Sequence, residues 1–171
     1  MFLAAAPYFA HRFRSNAWLL THFQSAEVSV SAFTNFVGRK TELQRIPSYF
    51  SISQTTQPPC LIQHALGGQG KSQIALEYCR RSRETYRGIF WINAHSEVSV
   101  SQSYRTVASA LTRGRSADAS DNDAQTRLAK DSPESWSEPW LLVFDNYDDP
   151  KNFPNVKRFI PTGRQCSEFN A

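Results

Sequence analysis

Two unbroken apolar runs stand out along the chain, and a shorter apolar stretch from Phe2 to Ala10 is broken by Pro7. Ile89-Phe90-Trp91-Ile92 follows Gly88, and Trp140-Leu141-Leu142-Val143-Phe144 runs into Asp145. Runs that are apolar at every position, rather than at alternate ones, predict strands covered on both faces. A third short run, Cys60-Leu61-Ile62, leads into a glycine-rich turn. A helical period follows at once, with Ile74, Ala75, Tyr78 and Cys79 on one face. Leu43 and Ile46 share a face of an earlier helical stretch that opens at Phe36-Val37-Gly38-Arg39, and Pro47 is expected to interrupt it or end it at Ile46. Tyr104, Val107, Ala108 and Leu111 predict another helix, with Ser96 or Ser99 as its cap. Thr112 to Pro139 reads as a polar loop around one weak helix near Ala124 to Lys130. Near the start, the alternation Val28-Ser29-Val30-Ser31 reads as a short strand within an irregular leader over 1–35.

Strands alternating with helices give an α/β fold, and 171 residues are enough for one domain with its own core. The net charge of +4 is compatible with anionic ligands but is no nucleic-acid signature. Arg80, Arg81, Arg83 and Arg87 read as the solvated face of a helix, so a nucleic-acid partner is not expected. Three widely spaced cysteines form neither a zinc pattern nor a disulfide framework and point to a reducing, cytoplasmic setting. No apolar stretch approaches the ~20 residues of a membrane helix.

The chemistry lies in the turn Ala65-Leu66-Gly67-Gly68-Gln69-Gly70-Lys71-Ser72. A strand, a glycine-rich loop ending in Gly-Lys-Ser and a helix together form the context of a phosphate-binding loop. Gly67, Gly68 and Gly70 let the backbone turn several N–H groups toward one point, and the helix N-terminus adds partial positive charge there. Lys71 is placed to meet β- and γ-phosphates, and Ser72 to offer a hydroxyl to Mg²⁺. Asp145 follows Lys71 by 74 residues and closes an apolar strand, at the end where open α/β sheets bind ligands. A carboxylate there suits Mg²⁺.

Leu66 to Tyr78 together with Trp140 to Pro150 (WLLVFDNYDDP) resembles the NB-ARC domain, the nucleotide switch of STAND-type ATPases that include NOD-like receptors, and fungal members above all. Phe36-Val37-Gly38-Arg39 is similar to that family's motif upstream of the loop, and Ile89 to Ala94 to its second strand. The resemblance implies a P-loop NTPase-like, mostly parallel sheet with helices on both faces. It implies binding of an adenine nucleotide, ADP or ATP, with Mg²⁺, and a role in signal transduction through oligomers in the full architecture. By the same resemblance, Val37, Gly38 and Arg39 lie near the adenine. Gly67, Gly68, Gln69, Gly70, Lys71, Ser72 and Gln73 bind phosphate, and Ser72 and Asp145 serve the metal.

Three departures accompany the match. Ala65 replaces the loop's first glycine. Asn146 stands where many members carry a second acid, and an amide is no general base at neutral pH. The match covers 36–165, followed by a short polar tail at 166–171. The strand that lies in the family between the loop strand and the Asp145 strand is missing from it, so the sheet is expected to be incomplete at its C-terminal part. These departures leave two other readings, a self-sufficient ATPase and a truncated, non-functional fragment.

Overall fold

The computed structural model describes residues 2–5, 19–21, 36–52, 60–112 and 122–161. Ten elements follow in chain order: β1 (Phe2–Ala5), β2 (Leu19–Thr21), α1 (Lys40–Ile52), β3 (Cys60–Ile62), α2 (Lys71–Arg81), β4 (Gly88–Asn93), α3 (Glu97–Leu111), α4 (Asn122–Glu134), β5 (Trp140–Asp145) and a 3₁₀ turn, Pro154–Phe159.

The five strands form one sheet in the order β2-β4-β5-β1-β3. β2 with β4 and β4 with β5 are parallel, while β1 is antiparallel to both β5 and β3. The sheet is therefore mixed, not simply parallel. The position between β3 and β5, expected to be left open, is taken by β1. The expectation of an irregular leader over 1–35 is corrected for two segments, Phe2–Ala5 and Leu19–Thr21. The strand expected at Val28–Ser31 and the tail at 166–171 lie outside the described residues.

Alternation along β5 divides the interior in two. Leu141 and Val143 join Ile89 and the buried faces of α1 and α2 in one core. Trp140, Leu142 and Phe144 join Phe90, Ile92, α3 and the 3₁₀ turn in the other. Helices thus cover both faces, and β5 is buried at all six positions. Gly88 opens β4 because a Cβ there would lie 2.8 Å from both the Phe90 ring and the Trp136 ring.

Two helices depart from the sequence pattern. Pro47 does not end α1, which runs on to Ile52. Leu43, Ile46 and Phe50 continue one buried face across it, so packing against α2 outweighs the single hydrogen bond that proline cannot donate. α4 is longer than the expected weak helix because it packs on α3, burying Ala129. The cap of α3 is Ser96, whose Oγ accepts from the Ser99 N–H at 3.2 Å. Buried Tyr104 donates its hydroxyl to the Phe159 carbonyl and ties α3 to the 3₁₀ turn.

The basic run at the end of α2 and just beyond it is largely engaged by carboxylates. Arg87 pairs with Glu138 at 2.7 Å and lies 4.5 Å over the Trp136 ring. Glu77, only 5% exposed, accepts from Arg80 Nε and Nη2 at 2.7 and 2.8 Å and from Arg81 Nε at 2.7 Å. The Arg80 hydrogen bonds, joined by Arg81, hold its carboxyl down to about 2 although burial pushes the other way. A folded value below the unfolded one gives stability that is complete above the ordinary carboxylate range and is lost as pH falls through the folded value. The melting temperature is expected to fall between about pH 5 and pH 2, and Glu77→Gln should flatten that fall. Thermal melts across a pH series test this, and parallel slopes in parent and variant would remove Glu77 from the acid response.

Candidate functional site

β3 delivers the chain to the glycine-rich turn, and α2 starts from Gly70. Gly70 has φ 78° and ψ 23°, a left-handed conformation that penalises any side chain. Gly68 is left-handed as well, with φ 75°. Ala65, standing where the pattern has glycine, is not among the described residues with positive φ, so its Cβ meets no such penalty. The first bond inside α2 runs from Ile74 N–H to the Gly70 carbonyl at 3.0 Å. The amides of Lys71, Ser72 and Gln73 are therefore unused within the helix, and Gly70 supplies no side-chain cap.

These groups border a cavity of about 560 Å³, lined by Ala65, Gly67 to Gln73, Asp145, Asn146 and Asp148. Lys71 lies back over the turn, its Nζ donating to the Ala65 carbonyl at 2.9 Å and the Leu66 carbonyl at 3.2 Å. Opposite, Ser72 Oγ donates to Asp145 Oδ1 at 2.8 Å. Asp145 is 8% exposed, fixed at the end of β5, where its carbonyl accepts from Ala94 N–H at 2.6 Å. One face of the cavity is thus cationic and rich in N–H donors, and the other carries carboxylates. A phosphate suits the first and a hard cation, which prefers oxygen ligands, suits the boundary between them. Among the described residues no group of three or more His, Cys, Asp or Glu side chains could hold a metal. A cation here would instead share a hydroxyl, a carboxylate and the oxygens of its ligand.

After Asp145 the chain turns through Asn146, left-handed at φ 62°, a conformation asparagine accepts more readily than most residues. Asp148 N–H donates back to the Asn146 carbonyl at 3.0 Å, and Asp148 borders the cavity. Asp149 does not; its carboxylate accepts from the backbone and side chain of Asn152. No family model, curated protein or solved structure matches the chain.

Of the residues singled out from sequence, Gly67, Gly68, Gln69, Gly70, Lys71, Ser72, Gln73 and Asp145 come together on one cavity. Val37, Gly38 and Arg39 do not line it. Arg39 reaches the outer side of the turn, donating from Nη2 to the Gln69 carbonyl at 3.3 Å and from Nη1 to Glu42 at 3.0 Å. Val37 is 87% exposed. Asp148 and Asp149 both stand near Asn146 in the sequence, but nothing in a run of polar residues says which way each side chain turns; of the two, Asp148 lines the cavity. Cys79 takes no part, since burial pushes its thiol up to about 12. No described helix is long and apolar enough to cross a membrane.

Proposed function

We propose that this chain binds an adenine nucleotide, ADP or ATP, with Mg²⁺, as the nucleotide-binding part of a cytoplasmic NB-ARC-type signalling switch with a P-loop NTPase-like fold. The observation that carries the proposal is the 2.8 Å contact between Ser72 and Asp145 on the cavity lining, in the helix start that follows left-handed Gly70 and carries Lys71. Hydroxyl, carboxylate, ammonium and free helix amides converge there as a nucleoside polyphosphate with its cation requires. Ser72 and Asp145 are the residues that would hold Mg²⁺, which neutralises charge on the phosphates when bound. Lys71 exchanges two loop carbonyls for phosphate oxygens, and the amides of Lys71 to Gln73 donate to the same group. The choice of adenine, the placement of Val37 to Arg39 near it, and assembly with further copies or other NB-ARC proteins rest on the family resemblance.

Isothermal titration of the chain with ADP and with Mg²⁺-ATP tests the reading, and absence of binding to both would overturn it. Within that experiment, Asp145→Asn is expected to weaken Mg²⁺-ATP binding by about tenfold or more while changing metal-free ADP binding little, because only the former uses the carboxylate charge. Equal loss of both ligands would indicate a folding defect instead.

Asp148 favours a second reading, slow hydrolysis by the chain alone. It is a second carboxylate lining the cavity, where the amide of Asn146 cannot act as a base. Phosphate release from Mg²⁺-ATP separates turnover from binding.

A further inference from the structure

The two halves of the cavity come from strands that do not touch. The phosphate loop follows β3 and Asp145 ends β5, and β1 lies between them. Phe2, Leu3 and Ala4 pair with Ile62, Leu61 and Cys60 on one side. Phe2 to Ala5 pair with Phe144 to Leu141 on the other. Phe2 is therefore level with Ile62 and with Phe144 at once. One residue beyond each of these, the chain leaves toward the loop or reaches Asp145.

We infer that the groove between β3 and β5 is a binding site for an antiparallel strand, filled by the chain's own Phe2–Ala5, and that its occupancy is coupled to occupancy of the nucleotide cavity. Neighbouring strands lie about 4.8 Å apart, so β1 holds β3 and β5 roughly two spacings apart. Without β1 the facing N–H and C=O groups of both strands would lose their partners in a dry interior. Closing the gap would instead move β5 toward β3 by about one spacing, ~4.8 Å. Either outcome breaks the Ser72–Asp145 register, since a hydrogen bond at 2.8 Å tolerates only a few tenths of an ångström. A ligand that needs the loop and Asp145 together therefore binds the strand-seated form better. By linkage it stabilises that seating in return. The inference rests on the nucleotide reading above.

The test is amide hydrogen exchange of the full chain with and without Mg²⁺-ADP, beside calorimetry of Leu3→Pro and Leu3→Val. Proline removes a ladder donor from a central strand, whereas valine keeps it. Mg²⁺-ADP is expected to slow exchange at Leu3 and Ala4 by about tenfold or more, and Leu3→Pro to weaken ADP binding by a similar factor while Leu3→Val stays near the parent. A parent that binds Mg²⁺-ADP with unchanged exchange at Leu3 and Ala4 would overturn the coupling alone. Should Leu3→Pro not fold, that exchange measurement still decides. A parent that binds no ADP would overturn the nucleotide reading and the coupling with it.

Discussion

Lys71→Ala is expected to cost roughly 2–4 kcal/mol of nucleotide binding, about 30- to 1,000-fold in affinity. In the structure the ammonium is already poised at the cavity rim, held by the Ala65 and Leu66 carbonyls at 2.9 and 3.2 Å. The loop itself sets the position of the charge, so little ordering remains to be done when phosphate arrives. Alanine removes the one lysine or arginine side chain among the cavity-lining residues and leaves the helix amides alone against a polyanion. Stability should change far less, because the two carbonyls that lose the ammonium belong to a solvent-facing turn. Calorimetry with ADP reads the first effect and thermal melting the second. Equal affinity of variant and parent would show that the ligand, if bound, lies elsewhere.

The largest stability loss is expected from Phe144→Ala, about 3–5 kcal/mol. Phe144 has no exposed surface, and on β5 it sits between Ile92 of β4 and Phe2 of β1. Alanine there leaves a cavity in the core shared with α3, in a strand held by paired neighbours on both sides. Asp145 is the next residue, so nucleotide binding should weaken as well. Urea unfolding gives the magnitude, and a loss below about 1 kcal/mol would mean that the sheet repacks around the gap.

The parts of the fold that were legible in the sequence are those where local pattern and tertiary demand agree. Ile89 to Ile92 and Trp140 to Phe144 are apolar throughout, and both lie in strands with cores on each face. The segment from Cys60 to Cys79 announced itself because a glycine-rich turn between apolar and helical periods has few other uses, and its residues do converge on one cavity. The failures share a cause. Phe2–Ala5 is four residues long, and what makes it a strand is the open ladders of β3 and β5, far away in the chain. Pro47 is a strong local stop that was overridden by the buried stripe of Leu43, Ile46 and Phe50. Asp148 lines the cavity after the left-handed turn at Asn146, and an isolated asparagine does not advertise that conformation.

Placing β1 inside the sheet, between β5 and β3, also sets how the chain must assemble. The β4–β5 ladder joins segments a few dozen residues apart, with α3 and α4 between them. β1 has partners on the order of 140 residues later in the chain, so its docking closes the longest loop among the described strand pairings. Such contacts raise contact order and slow the final step of folding. Until that step is complete, β3 and β5 present edges that a neighbouring chain's strand can capture. The same arrangement that aligns the phosphate loop with Asp145 therefore makes the yield of folded protein depend on concentration during refolding.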